Sequence, residues 1–82
     1  MKVAVLDDEE KVCTLICTLI EWKKLGLVLT GTASDGISGL ELIKSTKPDL
    51  LITDIRMPGM TGLELVKAAK EVSPDLQVII IS

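Results

Sequence analysis

Three apolar runs in this 82-residue chain each stop at an oxygen-bearing side chain. Residues 3–6 lead into Asp7 and Asp8, residues 50–53 into Asp54, and residues 78–81 into Ser82. If the runs are parallel strands of one sheet, three carboxylates and a hydroxyl emerge at one rim, with no basic residue among them. Ligands of open α/β sheets bind beyond the carboxyl ends of the strands. With the first and third strands adjacent, ~5 Å apart, Asp7 or Asp8 faces Asp54. Like charges at that spacing repel by roughly 3 kcal/mol at an effective dielectric near 20. A raised carboxyl pKa relieves this, and so does a hard cation. An oxygen-only donor set suits Mg2+, which takes one or two carboxylates and accepts phosphate oxygens, better than Zn2+. A carboxylate beside Mg2+ can attack phosphorus and form an aspartyl phosphate, catalysed mainly by positioning and charge neutralisation. Ser82, one strand over, is placed to bond to a phosphoryl oxygen. Each residue also has an ordinary reading. Asp8 can be a helix N-cap, Asp7 a solvated strand end, Asp54 a turn residue and Ser82 a strand terminus. Their convergence is what points to chemistry.

The elements that must position these side chains follow from the pattern. Continuous Val/Ile/Leu runs suggest strands covered on both faces. Between them lie helical periodicities. Residues 9–24 carry Val12, Leu15, Ile16, Leu19 and Ile20 as a stripe, with Asp8 as N-cap, Glu9 and Glu10 in the first turn, Lys23 and Lys24 near the end and Gly26 as closure. Residues 27–33 read as a strand. Residues 37–47 read as a helix with Leu40 and Ile43 inward, stopped by Pro48. Residues 57–62 read as a loop and 63–72 as a third helix, ended by Ser73-Pro74-Asp75. The order β-α-β-α-β-α-β implies right-handed crossovers and an open, doubly wound parallel sheet of order 2-1-3-4. The last strand would be an apolar open edge needing a cover or a neighbour. Such an edge is expected to belong to a longer domain, or to recruit a partner by homodimer pairing or swapping.

Composition narrows the classes. The chain has a net charge of -3, no His, Tyr or Phe, and one Trp. That excludes histidine catalysis within it and argues against nucleic-acid binding by this segment, which needs a positive face. No apolar run approaches the ~20 residues that span a bilayer, and residues 1–8 do not resemble a signal peptide, so a cytoplasmic protein without membrane contact is expected. Cys13 and Cys17, four apart, share a helical face. Core packing is their expected role, ahead of redox or metal roles, because a metal site needs more ligands.

Val-Leu-Asp-Asp-Glu at 5–9, Pro-Asp-Leu-Leu-Ile-Thr-Asp-Ile-Arg-Met-Pro-Gly-Met-Thr-Gly at 48–62 and Val-Ile-Ile-Ile-Ser at 78–82 resemble the receiver domain of two-component response regulators. The resemblance covers the whole chain. It implies a flavodoxin-like (CheY-like) fold, of which residues 1–82 are the N-terminal two-thirds, with the fifth strand and last two helices absent. It implies that Asp54 accepts a phosphoryl group from a sensor histidine kinase or small phosphodonor. It further implies that Asp7 and Asp8, with Asp54 and the backbone carbonyl of Arg56, hold Mg2+, and that Ser82 is the switch hydroxyl. Residues 20–26 (Ile-Glu-Trp-Lys-Lys-Leu-Gly) resemble receivers fused to AraC-type helix-turn-helix domains. Transcription would then be the output, with DNA contacted only through an absent C-terminal domain. Such a domain is a regulator rather than a metabolic enzyme, though it catalyses its own phosphorylation and dephosphorylation. The missing part includes a lysine that pairs with the phosphoryl group in the family. Two other classes compete. An aspartyl-nucleophile phosphohydrolase usually carries Asp-x-Asp after its first strand, whereas here the acids are adjacent. A nucleotide-binding module of flavodoxin type would need a glycine-rich phosphate loop, which is lacking.

Overall fold

Alternate residues of the first strand serve two separate cores. A computed structural model describes residues 1–81. In it β1 (Lys2–Leu6) is central, and Val3, Ala4, Val5 and Leu6 are all fully buried. Ala4 and Leu6 point to one side with Leu51, Ile43, Leu65 and Ala69. Val3 and Val5 point to the other with Ile52, Cys13, Ile16 and Trp22. A strand buried on both faces has no polar side to show, which is why its sequence runs apolar without alternation.

The remaining elements are α1 (Glu10–Leu19), β2 (Val28–Ala33), α2 (Gly36–Thr46), β3 (Leu50–Asp54), a two-residue hairpin of β4 (Arg56–Met57) and β5 (Met60–Thr61), α3 (Gly62–Val72) and β6 (Gln77–Ile81). The main sheet is parallel, in the order β2-β1-β3-β6. This is the expected 2-1-3-4 order once the two hairpin strands are left out of the numbering. Helix α1 lies on one face, and α2 and α3 lie on the other. Among the described residues no helix is long and apolar enough to cross a membrane.

Local chemistry sets the helix ends. At the start of α2, Asp35 accepts a 2.7 Å bond from the backbone N–H of Ser38. Lys47 closes that helix at φ 46, in the left-handed region, just before Pro48. Thr61 and Glu64 form a capping box at the start of α3, each satisfying the other's backbone N–H.

Four expectations are corrected. Helix α1 stops at Leu19 rather than 24. The indole Nε1–H of Trp22 donates to the carbonyl of Cys17 at 2.9 Å, and the chain turns through residues 22–26, with Gly26 at φ 69. The inward face of α1 centres on Cys13 and Ile16, with Ile20 just past its end, while Leu15 and Leu19 are 55% and 69% exposed. Asp8 does not cap α1. Glu9 occupies the cap position without a side-chain bond, and Asp7 takes the Glu9 N–H instead, at 2.9 Å. The stretch expected as a loop at 57–62 contains the β4–β5 hairpin.

Candidate functional site

The register of the sheet brings the strand ends level. Leu6 pairs with Thr53 and Asp54 with Ile81, so the residues after β1 leave the sheet beside the end of β3. One carboxylate oxygen from each of Asp7, Asp8 and Asp54 lies within 4.8 Å of the others. The expectation left open whether Asp7 or Asp8 would meet Asp54, and both do. Their surroundings differ. Asp7 is only 4% exposed, Asp54 is half-buried and Asp8 is exposed.

Asp7 is held from both ends. Its backbone N–H donates to the Ala33 carbonyl at 3.1 Å, its Oδ1 accepts from Glu9, and its own carbonyl accepts from the Cys13 thiol at 3.6 Å. Burial pushes its carboxyl above the usual range. The Glu9 N–H pulls it back, and the charges of Asp54 and Asp8 raise it further. Burial likewise pushes the Cys13 thiol up.

Asp54 is positioned by the turn behind it. Thr53 is fully buried and donates its hydroxyl to the Asp54 carbonyl at 3.0 Å. Gly62 N–H donates to the Ile55 carbonyl at 2.8 Å. A Cβ at Gly62 would sit 2.8 Å from Ile55 Cα and 2.9 Å from the Asp54 carbonyl oxygen, so only glycine lets α3 start this close to the end of β3.

Asp7 and Asp54 open onto a hollow of about 220 Å³ that Glu9, Val12 and Ile81 also line. Glu9 and Val12 were expected only as helix residues. The adjacency of Glu9 to the acid pair was the available signal. A larger depression of about 530 Å³ at Glu21–Lys24 lies away from this rim, beside the turn after α1. Arg56 begins β4 two residues after Asp54. Ser82 lies outside the described residues. An oxygen-only cluster this tight, with a buried acid whose proton affinity is raised, fits a hard divalent cation.

The family profile of the response regulator receiver domain matches residues 3–82. The chain belongs to that family. Solved receiver structures superpose closely. The receiver domain of AraT from Geobacillus stearothermophilus is 35% identical with a TM-score of 0.93, over 96% of this chain and 61% of that one. A two-component transcriptional regulator AraC from Clostridium phytofermentans ISDg is 33% identical with a TM-score of 0.90, over 98% and 64%. CheY of Borrelia burgdorferi, solved with CheX, BeF3 and Mg2+, is 25% identical with a TM-score of 0.88, over 100% and 61%. Among curated proteins, none matches. This receiver thus spans about three-fifths of the length of these solved relatives. Membership makes it a regulatory domain, in line with the expected fold and family.

Proposed function

We propose that this receiver is a phosphoacceptor switch in which Asp54 takes a phosphoryl group from a sensor histidine kinase or a small phosphodonor. The observation that carries this reading is the meeting of the Asp7, Asp8 and Asp54 carboxylates within 4.8 Å at the rim of a parallel sheet. A carboxylate oxygen of Asp54 forms the new bond to phosphorus as the bond from phosphorus to the donor's imidazole nitrogen breaks. That nitrogen keeps the electron pair and regains a proton from solvent. The hollow beside Asp54 gives the incoming group a place, and the Glu9 N–H holds the Asp7 side chain in position.

Asp7, Asp8 and Asp54 would hold Mg2+ together with the Arg56 carbonyl, the latter assigned by its place two residues after the acceptor. When bound, the ion supplies neutralisation of the rim and of the phosphoryl oxygens. Ser82 is the proposed switch hydroxyl, turning to the phosphoryl group and biasing a two-state surface. The share of the solved relatives that is covered supports reading residues 1–82 as the N-terminal two-thirds of the domain. The AraC relative supports a transcriptional output, reached through a separate DNA-binding domain in a cytoplasmic protein.

The test is intact-mass analysis after incubation with acetyl phosphate, with and without Mg2+. Gain of one phosphoryl group, dependent on Mg2+ and lost in Asp54→Ala, is expected. Undiminished modification of Asp54→Ala overturns the assignment.

A further inference from the structure

The hollow beside Asp54 is lined by residues that the acidic cluster does not use. Val12 and Ile81, both half-buried, bring apolar surface to it, and Glu9 brings a further carboxylate. Glu9 stands outside the group of three acids that meet within 4.8 Å. It is exposed, and its side chain makes no bond to the helix it precedes. Its backbone N–H serves Asp7, which leaves the carboxylate for whatever enters the hollow.

What enters must carry its phosphoryl group on a leaving group. Attacking and leaving atoms stand roughly in line across phosphorus, so the leaving group points away from Asp54 and meets the rest of the lining. Two donor chemistries differ there. An acyl phosphate departs as a carboxylate, a negative charge against Glu9. An N-phosphorylated imidazole departs as a flat ring, whose carbons suit Val12 and Ile81. When protonated on its second nitrogen, that ring also offers a cationic N–H to Glu9. A hydrogen bond with ionised partners is roughly twice as strong as a neutral one.

We infer that Glu9 selects the donor, favouring phosphoryl groups carried on imidazole over those carried on acyl groups. The inference rests on the phosphoacceptor reading of Asp54 and adds the residue that chooses among its donors. In the favoured transfer the bond from phosphorus to nitrogen breaks as the Asp54 oxygen bonds to phosphorus. The electron pair stays on that nitrogen. The second nitrogen keeps its proton, in a bond to the Glu9 carboxylate, so the ring departs as neutral imidazole.

The experiment measures the rate of phosphoryl gain by intact mass with three donors, phosphoimidazole, phosphoramidate and acetyl phosphate, in wild type and Glu9→Gln. Mg2+ is raised until the rates no longer depend on it. The amide keeps the shape of the side chain and the N–H that serves Asp7, and the position is exposed, so the fold is spared. The preference for phosphoimidazole over acetyl phosphate should fall about fivefold in Glu9→Gln, the effect of one unit charge at about 4 Å in a water-like dielectric. Phosphoramidate has the net charge of protonated phosphoimidazole but no ring, so it separates a contact with the ring from the field of one more acid. The preference for phosphoimidazole over phosphoramidate should therefore fall as well. If that second preference does not fall, or if all three rates change by one factor, the assignment of Glu9 is overturned while Asp54 stands as the acceptor. A wild-type protein that none of the three donors labels sinks the phosphoacceptor reading itself, and the role of Glu9 with it.

Discussion

Replacing Asp7 by Asn should make the metal-free protein more stable while weakening its response to Mg2+. The amide keeps an oxygen to accept the Glu9 N–H but carries no charge. Asp7 and Asp54 oxygens lie within 4.8 Å of each other, which corresponds to a repulsion of about 1 kcal/mol in a water-like dielectric and about 3.5 kcal/mol at an effective value near 20. Asp7 is buried and Asp54 half-buried, so the gain should fall between these, about 1–3 kcal/mol. For a domain of this size that raises Tm by at least about 4 °C. The sign with pH follows from the raised carboxyl pKa of Asp7, caused first by burial. The folded protein holds this proton more tightly than the unfolded one. The contribution is fully present below the ordinary carboxylate pKa and is lost as pH rises through the raised value. The variant has no such proton to lose, so its advantage should be small in acid and grow toward neutral pH. Thermal unfolding followed by Trp22 fluorescence, in chelator and in Mg2+ across pH, reads all of this. A variant less stable than wild type in chelator at neutral pH would refute the reasoning, as would an advantage that does not shrink in acid.

Thr61→Ala should cost about 0.5–2 kcal/mol in urea unfolding by removing the capping box of α3. Gly62→Ala should cost about 1–3 kcal/mol and also slow acetyl-phosphate labelling of Asp54, because the new methyl meets the Asp54 carbonyl. Ile43→Ala, in the buried core under α2, should cost about 2–5 kcal/mol. By the same measurement Leu19→Ala, at an exposed position, should stay within about 0.5 kcal/mol.

The central strands and the acidic rim were legible because burial on both faces leaves an unbroken apolar run, and the acids begin where that run stops. Residues 3–6 and 50–53 show this directly, and Asp7 and Asp54 follow them. The end of α1 was not legible, because it depends on one indole finding the Cys17 carbonyl, a contact no periodicity records. The stripe at 12, 15, 16, 19 and 20 is wide enough to face two ways. Only the packing of Cys13 and Ile16 against Val3, Val5 and Ile52 settles which residues turn inward. Asp7 and Asp8 are chemically identical neighbours, and the Glu9 N–H distinguishes their roles. The β4–β5 hairpin has two residues per strand, too few for any repeat to appear.

The placement of β1 has a consequence for synthesis. Its fully buried residues pair on one side with β2, as Val3 does with Leu29, and on the other with β3, as Val3 does with Leu50, some 47 residues later in the chain. At roughly 5–20 residues per second of translation, this strand waits several seconds for its second partner to be made. Ribosome-associated chaperones should therefore engage β1 during that interval.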